Sequence, residues 1–196
     1  MRNQMFSQMN QAALTRLKDR NPREIARNAG VHYDEDTQVF HIPTMGMDVA
    51  VSYPDYHLTP ELPGWHRLLL LHYLDLADGI PLTGKGIPFG QMKSGMARGG
   101  GIDRKCELTI QNLKNLGEDT LMKLCENIGG EPIISNADAA WQIPFLPNFP
   151  LFLKIWLPDE DFLVSGRLFV DASADHYLTI EDAVTVAELL LEKLTR

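Results

Sequence analysis

The sequence predicts an α+β fold, in which helices cover a small and mostly antiparallel sheet. Near the C-terminus, two apolar runs flank an acidic turn over residues 149–171, a pattern typical of a β-hairpin. The residues that follow carry apolar side chains at helical spacing, which predicts an amphipathic helix closing on that hairpin.

The N-terminal part is predicted to form two helices and a hairpin. Residues 4–19 place apolar side chains at helical spacing. A second helix is expected to begin after Asn21, a favourable N-cap, and to end near Gly30, which suits a left-handed C-terminal position. Residues 37–42 and 47–53 are rich in β-formers and enclose a turn, which predicts a hairpin.

The middle of the chain is predicted to be helical around a long loop. Residues 65–77 are so rich in leucine that this helix is expected to be buried on several sides. Residues 80–103 are rich in glycine and proline and are predicted to be a loop with one short extended piece. Asp103 is expected to cap a helix that runs to about residue 116, and residues 117–129 are predicted to form another.

The last elements complete one predicted domain over residues 1–196, with a helical arm at residues 4–30. A short strand is predicted at residues 133–135, whereas residues 137–142 favour neither helix nor strand. Thr179 is expected to cap the final helix.

Composition excludes some classes of partner. The formal net charge of -8 argues against nucleic acid and against an anionic membrane surface, because both are bound through clustered cations. The N-terminus lacks the apolar segment of a signal peptide. Cys106 and Cys125 do not make a disulfide framework and are expected to be buried as small hydrophobic residues. A cytoplasmic location and no cofactor are therefore expected.

A glycine-rich basic segment, residues 93–105, is one candidate ligand site. Its glycines are expected to expose backbone N–H groups to an anion beside the basic side chains. The candidate residues are Lys93, Arg98, Gly99, Gly100, Gly101 and Arg104. The segment matches neither the Walker pattern nor the dinucleotide fingerprint, so a mobile surface loop is the alternative interpretation.

Two further groups of residues are candidate sites. His72, Asp75 and Asp78 are spaced by three residues along one predicted helix. His72 is therefore a candidate general base or ligand-binding residue. The alternative is a core histidine whose ring nitrogens are hydrogen-bonded within the protein. The acidic turn offers three carboxylates to a hard cation, although it lacks calcium-loop spacing and is also explained as a solvated turn. Its candidate metal ligands are Asp159, Glu160 and Asp161.

Four segments in order resemble one family. They are LLLLHYLDLADGIPLTGK at residues 68–85, LCENIGGEP at 124–132, LPNFPLFLKIWLPDEDF at 146–162 and LFVDASADHYLTIEDAVTVAELL at 168–190. Together they resemble the prokaryotic domain-of-unknown-function family 3786. The resemblance implies no agreed activity, an anaerobic setting and, in some members, an attached cysteine-rich iron–sulfur segment linked to corrinoid-dependent methyl transfer. This chain has no clustered cysteines, so it is not expected to hold a cluster itself.

The functional expectation is a binding or accessory module in anaerobic corrinoid or iron–sulfur metabolism, with another protein as its partner. The alternative is an enzyme or binding protein for a small anionic ligand held by residues 93–105. A homo-oligomer is compatible with either interpretation.

Overall fold

The computed structural model describes residues 2–97, 99–112, 118–157, 160 and 164–195. These residues form helices and two antiparallel sheets, of four and five strands. The predicted α+β class is therefore confirmed, with two sheets in place of the single small sheet that was expected.

Two helices begin the chain. Helix α1 spans Arg2–Leu17 and α2 spans Pro22–Ala29. The side chain of Asn21 accepts a hydrogen bond from the backbone N–H of Arg23, and Gly30 has a φ of 65°. Both predicted caps of α2 are thus present, and they explain why the helix is short.

The first sheet contains the predicted N-terminal hairpin. Its strands are β1 (His32–Asp34), β2 (Val39–Thr44), β3 (Met47–Ser52) and β4 (Leu58–Thr59), hydrogen-bonded in that order. The hairpin is formed by β2 and β3, which pair Phe40 with Val51. The short outer strands β1 and β4 were not predicted.

The second sheet contains the predicted C-terminal hairpin. Its strands are β5 (Gly86–Ile87), β6 (Glu131–Pro132), β7 (Ala139–Leu146), β8 (Phe149–Trp156) and β9 (Ser165–Asp171), in the order β5-β9-β8-β7-β6. The hairpin is formed by β8 and β9, which pair Leu153 with Leu168. All residues of 149–153 are buried, which explains the continuous apolar run of this central strand.

One prediction beside this hairpin is wrong, because the short strand lies at Glu131–Pro132 instead of residues 133–135. The segment 137–142, for which neither helix nor strand was favoured, contributes the start of β7 from Ala139 onward. Strand β7 carries Pro144 at an irregularity in its pairing with β8. A proline is tolerated at such a bulge because the hydrogen-bond pattern between the two strands is interrupted there and does not need the N–H group that proline lacks. The proline also makes β7 harder to predict as a strand from the sequence.

Four more helices pack around the sheets. They are α3 (Gly64–Leu76), α4 (Gly99–Asn112), α5 (Glu118–Asn127) and α6 (Ile180–Leu194). Helix α4 packs on β9, where a Cβ atom on Gly166 would lie 2.4 Å from Ile110. The apolar stripe of α6 is buried, but α6 packs mainly against α4. The prediction that α6 would lie on the hairpin is therefore wrong, because α4 occupies that place.

The glycine-rich segment is helical from residue 99 onward, so the predicted loop over residues 80–103 is too long. Asp103 lies within α4 and does not cap it. A Cβ atom on Gly99 would lie 2.3 Å from the backbone nitrogen of Gly90. This glycine therefore permits close backbone packing at the start of α4, rather than the freedom of a loop.

Tyr73 of α3 connects α2 to the second sheet through its hydroxyl group. This group donates a hydrogen bond to the carbonyl of Ala29, at 2.6 Å, and accepts one from the backbone N–H of Asn148, at 2.9 Å. Ala29 ends α2, and Asn148 lies in the turn between β7 and β8. One cluster of buried apolar residues likewise includes members of both sheets, among them Phe40 and Leu168.

None of the helices in the described part of the chain combines the length and apolarity needed to cross a bilayer.

Candidate functional site

A groove lies between α3 and α6, and we call it the α3–α6 groove. Its main cavity has a volume of about 670 Å³, which is within the range typical of ligand sites. An adjoining cavity of about 430 Å³ continues it toward the turn between β2 and β3. Trp65, Leu189 and Glu192 line both cavities, so the two form one groove.

One wall of the groove is apolar. It consists of Met9 from α1 and Trp65, Leu68 and Leu69 from α3. The three α3 residues are spaced by three or four positions and therefore share one face of that helix. Trp65 is partly exposed in the groove, whereas Leu68 and Leu69 line it as nearly buried side chains that are 5% and 2% exposed.

The wall contributed by α6 and its C-cap carries carboxylates and threonines, together with Leu189 and Leu191. Its polar residues along one line are Glu181, Thr185, Glu188, Glu192 and Thr195. Successive members are three or four positions apart, so they form one line along the helix. The start of this line is fixed by a capping box, in which Thr179 and Asp182 bond to each other's backbone N–H groups.

Asp182, which lines the main cavity, forms a largely buried pair with His72 behind it. Nδ1 of His72 donates a hydrogen bond to both oxygens of Asp182, at 2.9 and 3.0 Å. The side chains are 12% and 9% exposed. Asp182 lines the main cavity, and its bonds to Thr179 and His72 join the start of α6 to α3.

Charge on the groove is predominantly negative. Among the described residues that line it, four carry carboxyl groups and two carry ammonium groups. One ammonium group, that of Lys105, lies 2.8 Å from a carboxylate oxygen of Glu188, and both side chains are about half exposed. The carboxylate wall thus already binds a cation from α4.

The second cavity contains His66, which is 3% exposed. Its ring lies against Trp65 and Phe145, and its Nε2 atom is 3.4 Å from the hydroxyl of Thr44. Burial, assisted by the nearby Lys193 ammonium group, lowers the pKa of His66 to about 4. The imidazole is therefore neutral at physiological pH. Met45 and Met47 line the same cavity.

The predicted group His72, Asp75 and Asp78 is not one site. Each side chain has a different partner: Asp182 for His72, Arg16 and Arg20 for Asp75, and His176 for Asp78. Asp78 lies beyond the C-terminal end of α3, whereas His72 and Asp75 lie within that helix and bind side chains of α6 and α1. His72 does have a carboxylate beside it, although that carboxylate comes from α6.

The predicted anion-binding residues are partly separated in the structure. The backbone N–H of Lys93 donates to the carboxylate of Asp175, and Gly99, Gly100 and Gly101 form the first turn of α4. Arg104 is exposed on α4, and Arg98 lies outside the described residues. An anion site here stays a prediction.

The predicted metal ligands of the acidic turn fall mostly on residues that are not described. Asp159 and Asp161 lie outside the described residues, and Glu160 is exposed. Elsewhere in the described chain, no group of three or more His, Cys, Asp or Glu side chains is placed to hold a metal ion.

Both cysteines are free and buried, as predicted. Burial raises the pKa of each thiol, in Cys106 and in Cys125, to about 12. Each is therefore a protonated, unreactive thiol in the native fold.

Comparison with known families agrees with the resemblance of the four segments. The model of the domain of unknown function (DUF3786) matches residues 21–193. The chain belongs to this family. Of the groove residues, Met9 and Thr195 lie outside the DUF3786 match, so the rest of the groove is built from the matched part. No curated protein and no solved structure matches the chain.

Sequence reasoning missed most of the groove. Trp65 and the carboxylates of α6 were placed on the correct helices, but nothing in their local pattern shows that the two helices face each other. The helical spacing of Glu181, Glu188 and Glu192 was a usable signal, since it marks a single acidic line.

Proposed function

We propose that this chain is a binding or accessory domain that holds part of a partner in the α3–α6 groove. The observation that carries the proposal is the pairing of two chemically different walls. The apolar wall supplies hydrophobic contact, and the carboxylate wall supplies orientation through charge and hydrogen bonding. Trp65 lies where the two cavities meet and is the natural anchor, because a large aromatic side chain supplies much contact area.

The family resemblance supports a metabolic context for this proposed role. The context is anaerobic metabolism that uses corrinoids or iron–sulfur clusters. The proposed location is the cytoplasm, and the proposed partner is another protein. The alternative, a small anionic ligand bound by Lys93, Arg104 and the first turn of α4, is supported by the helix dipole alone. The groove is favoured because cavity volume, apolar surface and charged side chains coincide there.

The test is ligand-observed NMR with a fragment library that contains neutral, cationic and anionic members. In a Thr185→Trp variant the new indole fills the groove, so fragments that bind the wild type are expected to lose binding. The matched control is Thr15→Trp on α1, since both threonines bond the carbonyl four residues earlier in a helix.

Two results would contradict the proposal. In the first, Thr185→Trp retains the whole set of bound fragments, which locates binding elsewhere. In the second, all bound fragments are anions whose binding disappears in Arg104→Ala but persists in Thr185→Trp, which favours the anionic-ligand alternative.

A further inference from the structure

We propose that the occupant of the α3–α6 groove is a basic amphipathic helix from a partner protein. This inference rests on the binding role proposed above and names the chemistry of the partner.

The apolar wall suits the apolar stripe of such a helix. Met9 of α1 and Trp65 of α3 supply the accessible apolar surface, and the nearly buried Leu68 and Leu69 complete the lining. Met45 and Met47 line the far cavity. Methionine side chains are flexible and polarisable, so they adapt to the side chains of a helical guest. Grooves that receive amphipathic helices commonly use this kind of surface.

The carboxylate wall has the spacing of a helix. Glu181, Glu188 and Glu192 are separated by seven and four positions, or about 10 and 6 Å along the axis of α6. A guest helix lying alongside presents lysines or arginines at those same intervals when they are seven and four positions apart. A compact organic cation reaches only one of these carboxylates.

The length of the groove also favours a helix. From Glu181 to Thr195 the wall covers about 21 Å of α6, or close to four turns. A small ligand fills only part of such a length, whereas four turns of helix lie along all of it.

Lys105 shows that the wall accepts an ammonium group. Its Nζ atom lies 2.8 Å from Glu188 in an exposed pair. An exposed pair of this kind is worth little, so a cation of the partner can replace Lys105 at small cost. The net charge of -8 attracts a basic partner over a longer range.

The experiment titrates the full chain into dye-labelled peptides and measures fluorescence anisotropy. The probe is an amphipathic leucine–lysine peptide of about 18 residues, which is about 27 Å long as a helix. Three comparison ligands are used: the same peptide with glutamate for lysine, a scrambled peptide of equal composition, and spermidine as competitor. The leucine–lysine helix is expected to bind best and to weaken as salt is added.

Variants that neutralise charged side chains test whether the carboxylate wall binds the peptide. Replacing Glu188 by Gln is expected to weaken peptide binding about threefold, and replacing all three wall glutamates about twentyfold, because rim charges contribute small and nearly additive amounts. Lys105→Gln is expected to tighten binding, since it removes the competing cation. Glu131→Gln, which removes an exposed carboxylate on β6, is the control and should leave affinity unchanged.

The outcomes separate this inference from the proposed function. Equal binding of the acidic or the scrambled peptide, full competition by spermidine, or unchanged affinity in the triple variant overturns the basic helix as occupant. If fragments still lose binding in Thr185→Trp, the groove keeps its binding role. If Thr185→Trp binds both peptide and fragments like the wild type, both proposals fail.

Discussion

The carboxylate of Asp171 holds the segment before β5 in place. It is 2% exposed and accepts five hydrogen bonds, from the backbone and hydroxyl groups of Thr83 and Ser173 and from the backbone of Gly84. Burial by itself raises the pKa of this carboxyl group, but the donors from Thr83 and Ser173 outweigh it and hold the pKa below its usual value. The group is therefore a structural anion.

Asp171→Asn is expected to destabilise the fold by about 2–3 kcal/mol, because the amide turns two donors toward groups that already donate. Urea unfolding at neutral pH measures this change. The wild-type contribution is present above the carboxyl group's unfolded pKa and is lost as pH falls through its lower folded pKa. Asp36→Asn, at an exposed position, is the control; an equal loss there would contradict the prediction.

His66 is expected to make stability depend on pH. Its folded pKa of about 4 lies below the ordinary value of 6.5, so the unfolded chain binds a proton first as pH falls. Stability should therefore be complete above pH 6.5 and decrease between pH 6.5 and 4, by about 2 kcal/mol from pH 7.5 to pH 5. Urea unfolding at these two pH values checks this.

His66→Gln is the matched variant, because glutamine does not titrate. It should lose about 2 kcal/mol less than the wild type over the same interval. An identical pH dependence in both proteins would show that His66 does not carry the effect.

At the level of single residues, only part of the candidate site could be predicted from the sequence. His72 could be singled out from its spacing to Asp75 and Asp78 on one predicted helix. Its partner in the structure, Asp182, lies 110 residues away. Local spacing cannot show such a pair, because packing of α3 against α6 creates it.

Among the elements, α4 depends on glycine at its first turn. A side chain at Gly99 meets the backbone of Gly90 and Phe89, whereas a Cβ atom on Gly100 meets nothing within 4 Å. Two adjacent glycines of similar appearance in the sequence therefore have different roles.

Gly99→Ala is expected to destabilise the chain by about 1–3 kcal/mol, since backbone atoms must move to admit the methyl group. Gly100→Ala is expected to stabilise it by about 0.5 kcal/mol, because alanine restricts the unfolded chain and favours helix. Thermal and urea unfolding of both variants measure the difference. Equal effects would mean that the close approach at Gly99 does not constrain the fold.

Elements with strong local signals could be predicted, and those set by tertiary contact could not. The caps at Asn21 and Thr179 and the alternation in β2–β3 are local, and these elements were predicted correctly. The start of α4 and the whole of β7 depend on backbone packing and on neighbouring strands. Their glycine and proline residues suggested a loop or no regular structure.

At the scale of the whole molecule, chemical labelling of the buried thiols measures how readily the entire fold opens. Cys106 and Cys125 are both fully buried, with pKa values raised to about 12. Labelling by a thiol-reactive reagent is therefore expected to be slow in the native protein and rapid for both cysteines in urea.

Labelling rates measured across a urea series should follow the unfolding transition. Gly99→Ala should speed the labelling of Cys106, which lies on the same helix. Labelling of either thiol in native buffer as fast as in denaturant would contradict the burial described.

The fold class and the family could be predicted because they depend on patterns spread over much of the chain. The division into two sheets and the groove could not. Their positions depend on how α3, α4 and α6 stack, and those helices come from distant parts of the sequence.

The hydroxyl of Tyr73 fixes α3 from two directions at once, through α2 and through the β7–β8 turn. The helix that carries Trp65 is thus anchored on both sides. For the guest helix proposed above, association at that face would not require the backbone of α3 to become ordered, so the backbone entropy lost on binding would come from the incoming segment.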